Sequence, residues 1–190
     1  MLYRSHFGAF LLTMLVWTAN GSPAPSDATS PDAGFLKDFN KNIADYLKLH
    51  RLAESEVHRL KPTSSPEAIE RYEHHLSRRI RELRRDAVQG NIFTPEIAAG
   101  FRRLIGITMQ GPEAPAIRQS LERATPAHPR AIRVNSPYPS NLPLPSTPPS
   151  LLLNLPPLPA DLEYRVLGHD LVLRDIDANL VVDSIPKIIP

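Results

Sequence analysis

PDAGFLKDFNKNIADYLKLHRLAESEVHRL, residues 31–60, decides the architecture of this chain. Its apolar positions are Phe35, Phe39, Ile43, Tyr46, Ala53, Val57 and Leu60, with His50 filling the remaining gap. Steps of three and four keep all of them on one side of an α-helix, so the segment must bury that side against a partner. The start is chemically marked. Ser30 can cap the free amides, Pro31 fits the first helical position, and Asp32 suits the positive helix end. Lys61-Pro62 stops the helix.

The same chemistry recurs downstream. Ser65-Pro66-Glu67 opens a second amphipathic stretch, with Ile69, Tyr72, Leu76, Ile80, Leu83 and Ala87 on one stripe before Gly90. Thr94-Pro95-Glu96 opens a third, carrying Ile97, Phe101, Leu104, Ile105 and Thr108 up to Gly111-Pro112. A last short helix spans about Pro115 to Arg123. Two long amphipathic helices joined by a short Pro/Ser turn are expected to fold back on one another. The fold class read from this pattern is mainly α, with an antiparallel helical hairpin or small bundle over residues 31–124.

Proline then changes the character of the chain. Of the 21 prolines, 11 fall between Pro126 and Pro159, which makes 125–160 an extended, proline-rich strap rather than a helix. Leu151, Leu152, Leu153 and Leu155 are too apolar for a free linker, so the strap should meet the body or a partner. From residue 161 the period drops to two. Leu162, Tyr164 and Val166 alternate with Glu163 and Arg165, Gly168-His169 reads as a turn, and Leu171-Val172-Leu173 follows. Asp175 to Asn179 forms a second turn before Leu180-Val181-Val182. The tail at 161–190 is therefore a small β-meander, too small to stand alone.

At the other end, residues 1–21 have the layout of a secretory signal peptide. A basic start containing Arg4 precedes an apolar run from Phe7 to Trp17, then Ala19-Asn20-Gly21. The run is well short of the ~20 residues that span a bilayer. Cleavage there would leave 169 of the 190 residues, led by a small polar stretch at 22–30, with 21 basic against 20 acidic side chains. That balance gives no general pull toward nucleic acid or anionic lipid. Cysteine is absent, which removes disulfides, thiolate metal sites and thiol nucleophiles.

The tail Leu162-Glu-Tyr-Arg-Val-Leu-Gly-His-Asp-Leu-Val-Leu-Arg-Asp-Ile-Asp-Ala-Asn-Leu-Val-Val-Asp-Ser-Ile-Pro186 resembles a recurrent ending of uncharacterised exported bacterial proteins. The order of parts is similar too, including Gln89-Gly-Asn-Ile-Phe-Thr-Pro-Glu-Ile97 before the proline stretch. The resemblance implies a bacterial envelope or extracellular setting and carries no activity. A shorter pattern in the tail is also similar to the β-ribbon of periplasmic nickel/cobalt homeostasis proteins.

Side-chain chemistry offers one sharp candidate. His50, Glu54 and His58 recur every four residues, and a hairpin turning near residue 63 would bring His74 and His75 toward His50. Such a set suits zinc, nickel or copper. Asp175-x-Asp177-x-Asn179 begins like a calcium loop, but Leu180 and Pro186 stand where the glycine and glutamate belong, so these are turn residues. The run Arg78-Arg79-Ile80-Arg81-Glu82-Leu83-Arg84-Arg85 could grip phosphates or acidic headgroups; interspersed carboxylates point instead to a solvated helix face. No nucleophile elbow, phosphate loop or zinc-protease motif is present. The expectation is an exported, non-enzymatic protein, periplasmic or secreted, with no stable membrane span. It would bind another protein through its helical face, strap or tail, chiefly at Leu151, Leu152, Leu153, Tyr164 and Arg165, with a homo-oligomer also open. The alternative is a periplasmic metal-binding or stress-sensing helical hairpin.

Overall fold

Hydroxyl–proline–glutamate starts organise the helices. In a computed structural model, which describes residues 31–58, 60–124, 132–139 and 147–189, the helices are α1 (Pro31–Glu56), α2 (Pro66–Leu83), α3 (Pro95–Thr108), α4 (Ala114–Ala124) and the one-turn α5 (Pro149–Leu152). Ser65 Oγ accepts the Ala68 amide at 3.3 Å and Thr94 Oγ1 the Ile97 amide at 3.4 Å, so both caps work as their residue types dictate. The signal-like segment 1–21, the lead 22–30 and the Ser30 cap lie outside the described residues, as do 125–131 and 140–146 of the strap. Among the described residues, no helix is long and apolar enough to cross a membrane.

Helix α1 buries Phe35, Phe39, Ile43, Tyr46, Leu47, His50 and Ala53, the stripe that its spacing announces. It touches both α2 and α3. Phe101 on α3 is the hub of an aromatic cluster: its ring centroid lies 5.1 Å from Phe39, 5.1 Å from Phe93, 6.2 Å from Phe35 and 5.9 Å from Tyr164. Edge-on ring packing of this kind adds to simple area burial. The α1–α2 register differs from that of a hairpin turning near residue 63. Glu56 meets Arg79 rather than a residue near position 70.

Three strands complete the body: β1 (Leu162–Leu167), β2 (Asp170–Asp175) and β3 (Leu180–Ile185), antiparallel in the order β1-β2-β3. Gly168 has φ +60° while His169 does not share the positive region, which fits a two-residue turn with glycine first. One face of the sheet, including Leu162, Tyr164, Leu171, Leu173, Leu180 and Ile185, belongs to the same apolar cluster as the helices. The meander is thus docked on its own chain. Tyr138, Leu167, Val172 and Val181 form a second cluster on the opposite face. The outer edge of β3 is covered by strap residues: Asn135 N donates to Val181 O, Val181 N to Ser136 O, and Tyr138 N to Asn179 O. Covering an edge in this way removes a template for aggregation.

The strap is not extended throughout. Helix α5 begins at Pro149 and contacts α3, because proline is excluded from a helix interior but tolerated in its first turn.

Candidate functional site

Thr147 to Leu158 returns from the strap and runs beside β1, leaving a groove of about 680 Å³ between the two. Leu152, Leu153, Leu155, Pro156, Pro157, Leu158 and Leu162 supply apolar walls; Glu163 and Arg165 supply a polar end. The groove is held open by two bonds across it. Tyr164 Oη donates to Pro156 O at 3.0 Å, and Thr147 Oγ1 donates to Tyr164 O at 3.4 Å. Burial pushes the Tyr164 phenol far above its ordinary range, so it stays a donor at all physiological pH. Burial works against ionisation of Glu163, but its hydrogen bonds to Arg165 and Arg174 prevail and its pKa is lowered.

The backbone of β1 has a direction here. Leu167 and Asp170 close the two-residue turn as a hydrogen-bonded pair, so pairing alternates back along the strand. The amides and carbonyls of Leu162, Tyr164 and Val166 therefore point away from β2. The Leu162 amide turns to Pro159 O at 3.1 Å, which agrees.

The five residues singled out for partner binding divide sharply. Leu153 is 83% exposed and Leu152 half-buried, both on the groove wall. Arg165 is half-buried at its polar end. Tyr164 is buried, with its ring against Phe101. Leu151 is fully buried in the core, so it is a packing residue and presents nothing to a partner.

The candidate metal ligands are not gathered. His50 is buried, and its Nδ1 lies 2.6 Å from Asp175 Oδ2. His58, His74 and His75 are exposed, and Glu54 is half-buried. Among the described residues, no three His, Asp or Glu side chains are placed to hold one ion. The expected hairpin register does not form, and the acid that meets His50 comes from the sheet instead of α2.

Asp175 was readable only as a turn residue, yet it is fully buried and takes three donors: Tyr46 Oη at 2.6 Å, His50, and the Ala178 amide at 2.9 Å. Burial disfavours the charged imidazole, but the hydrogen bond and charge of Asp175, with Asp161 and Asp177, outweigh it and raise the His50 pKa. The same burial, with the Asp175 charge, pushes the Tyr46 phenol well up. Asp183 is the second buried acid. It accepts the amides of Gly90, Ile92, Phe93 and Ser184 and so folds the loop after α2 onto β3. A lone acid inside the apolar run Leu180-Val-Val-Asp-Ser-Ile185 was the available signal. Both networks join the tail to earlier segments of the chain, and none of their residues lines the groove.

No family model, curated protein or solved structure matches this chain.

Proposed function

We propose that this is an exported, non-enzymatic protein of a bacterial envelope or extracellular space that binds another protein in the groove between strap and β1. In this reading the helices, taken as a hairpin or small bundle, are the platform that carries the groove. The observation that supports it best is Leu153, an 83% exposed leucine on the wall of an apolar groove of about 680 Å³. An exposed apolar wall of this kind is a common mark of a binding surface. The outward amide of Tyr164 beside it offers a donor to an extended segment of the partner. The resemblance to uncharacterised exported proteins agrees with the setting.

The test is a photo-crosslinking residue at position 153 in the expressing cells, with the same residue at exposed Leu52 as control. The reading expects a discrete adduct at 153 that disappears when Leu158→Asp is added. No adduct, or the same adduct from position 52, would refute it.

A further inference from the structure

Helix α2 carries two glutamates that the fold does not pair. Glu70 and Glu73 stand three residues apart, so they are neighbours whose like charges oppose the helix slightly. Among the described residues, neither carboxylate has a hydrogen-bond or ion-pair partner. Both line a pocket of about 380 Å³ formed by α2, the turn that joins β2 to β3, and Pro137 of the strap. Exposed His74 lines it too. Ser77 sets this pocket apart from a merely acidic surface. It is 5% exposed, lies one turn after Glu73 and lines the same pocket, yet its Oγ has no hydrogen-bond partner among the described residues. A hydroxyl inside a helix can turn back to the carbonyl four residues earlier, as Thr108 of α3 does to Leu104 O at 3.0 Å. A buried hydroxyl left without a partner costs stability, and a ligand in the pocket would give Ser77 one.

The charge inside the pocket calls for a cation. No lysine or arginine lines it. Arg174 is close enough to act on Glu73, but its donors are directed elsewhere: Nε and Nη2 to Asn179 Oδ1, and Nη1 to Glu163 Oε1. Arg71 and Arg78 flank the stripe of Glu70, His74 and Ser77 on the helix surface; both are exposed, where water and salt screen them. Burial, with the charges of Glu70 and Asp177, raises the Glu73 pKa in spite of Arg174. An ammonium beside the carboxylate would offset that burial.

We propose that this pocket binds a small aliphatic diamine, with one ammonium on Glu73 and Ser77 Oγ and the other on Glu70. A point cation has the wrong shape for it, because among the described residues no three His, Asp or Glu side chains are placed to hold one ion. Neighbours three apart on a helix have Cβ atoms about 5–6 Å from one another, a span that a short alkyl chain bridges. Pro137 and Ala178 supply apolar surface for the methylenes. The pocket shares no residue with the groove beside β1, and it stands whether or not the groove takes a partner.

The experiment is titration calorimetry of the full chain at low salt and pH 8, above the ordinary histidine range. Putrescine, a four-carbon diamine, is compared with butylamine, with acetyl-lysine amide and with magnesium chloride. Putrescine is expected to bind roughly five-fold tighter than butylamine, which lacks the second ammonium, and Glu70→Gln should erase that preference. Glu73→Gln should weaken putrescine binding roughly ten-fold. Ser77→Ala should weaken it as well, at an unchanged or raised melting temperature, because the hydroxyl has no partner to lose in the folded chain. Melting temperatures of all three variants keep loss of fold apart from loss of binding. No binding of putrescine, magnesium binding as tightly, or Glu73→Gln or Ser77→Ala binding as wild type does would overturn the proposal. Butylamine or acetyl-lysine amide binding as tightly as putrescine would overturn it too, the latter reassigning the pocket to a lysine side chain of a partner.

Discussion

His50 Nδ1 and Asp175 Oδ2 lie 2.6 Å apart across 125 residues of sequence, in a place closed to solvent. The pair joins the middle of α1 to the end of β2, and Tyr46 Oη shares the same carboxylate oxygen. Removing the acid leaves an imidazole, a phenol and the Ala178 amide buried without their acceptor. Asp175→Ala should therefore lower stability by about 3–5 kcal/mol, whereas Tyr46→Phe should cost about 1–3 kcal/mol. Urea unfolding followed by circular dichroism measures both. Equal effects from the two variants would show that Asp175 is not the centre of the network.

The same pair makes stability depend on pH, and the sign follows from the shift. His50 has a raised pKa in the folded state, burial being overcome by Asp175, Asp161 and Asp177. The folded chain then holds its proton more tightly than the unfolded chain does. That contribution is complete below the ordinary histidine value of about 6.5 and is lost as pH rises through the raised folded value. Unfolding free energy measured from pH 6 to 9 should fall on this account, and His50→Gln should flatten the curve. A wild-type curve that rises over this range, with the same curve in the variant, would contradict the assignment.

Asp183 predicts a local effect. Its carboxylate gathers the amides of Gly90, Ile92 and Phe93 in a loop where Gly90 has φ +93°. Asp183→Ala should cost about 3–5 kcal/mol, with Asp183→Asn milder because one acceptor oxygen survives. Native-state hydrogen exchange should show protection lost first at the amides of residues 92 and 93. Uniform loss across the molecule would mean that the loop is not separately held.

What was legible in the sequence was whatever depends on neighbours. The three-and-four spacing of Phe35, Phe39, Ile43 and Tyr46 found the buried face of α1, and the alternation around Tyr164 found β1. The hydroxyl–proline pairs placed two helix starts correctly. Contacts between distant segments were hidden. His50 fits an apolar stripe, and nothing local says that its partner is the aspartate that ends β2. The leucines of the strap were equally ambiguous, because three in succession, Leu151 to Leu153, give no period. Leu151 proved to be core and Leu153 surface, a difference that depends on which side of the single turn of α5 meets α3.

A pair of glycines in α3 tests the packing of the α1 aromatic row. A Cβ added at Gly100 would lie 2.6 Å from the ring of Phe35, while one added at Gly106 would meet nothing within 4 Å. Both glycines sit inside the helix, so alanine gains the same backbone entropy at each, up to about 1 kcal/mol. At Gly106 that gain stands alone, and Gly106→Ala should be neutral or stabilising. At Gly100 the ring must move within a cluster already fixed by Phe39, Phe93 and Phe101, and overpacking should cost about 1–3 kcal/mol net. Thermal melts of Gly100→Ala, Phe35→Leu and the double variant separate the causes. The smaller leucine should recover part of the Gly100→Ala loss, giving a coupling energy between the two positions. Strictly additive losses would mean that the close approach of α1 and α3 at this point is not what glycine provides.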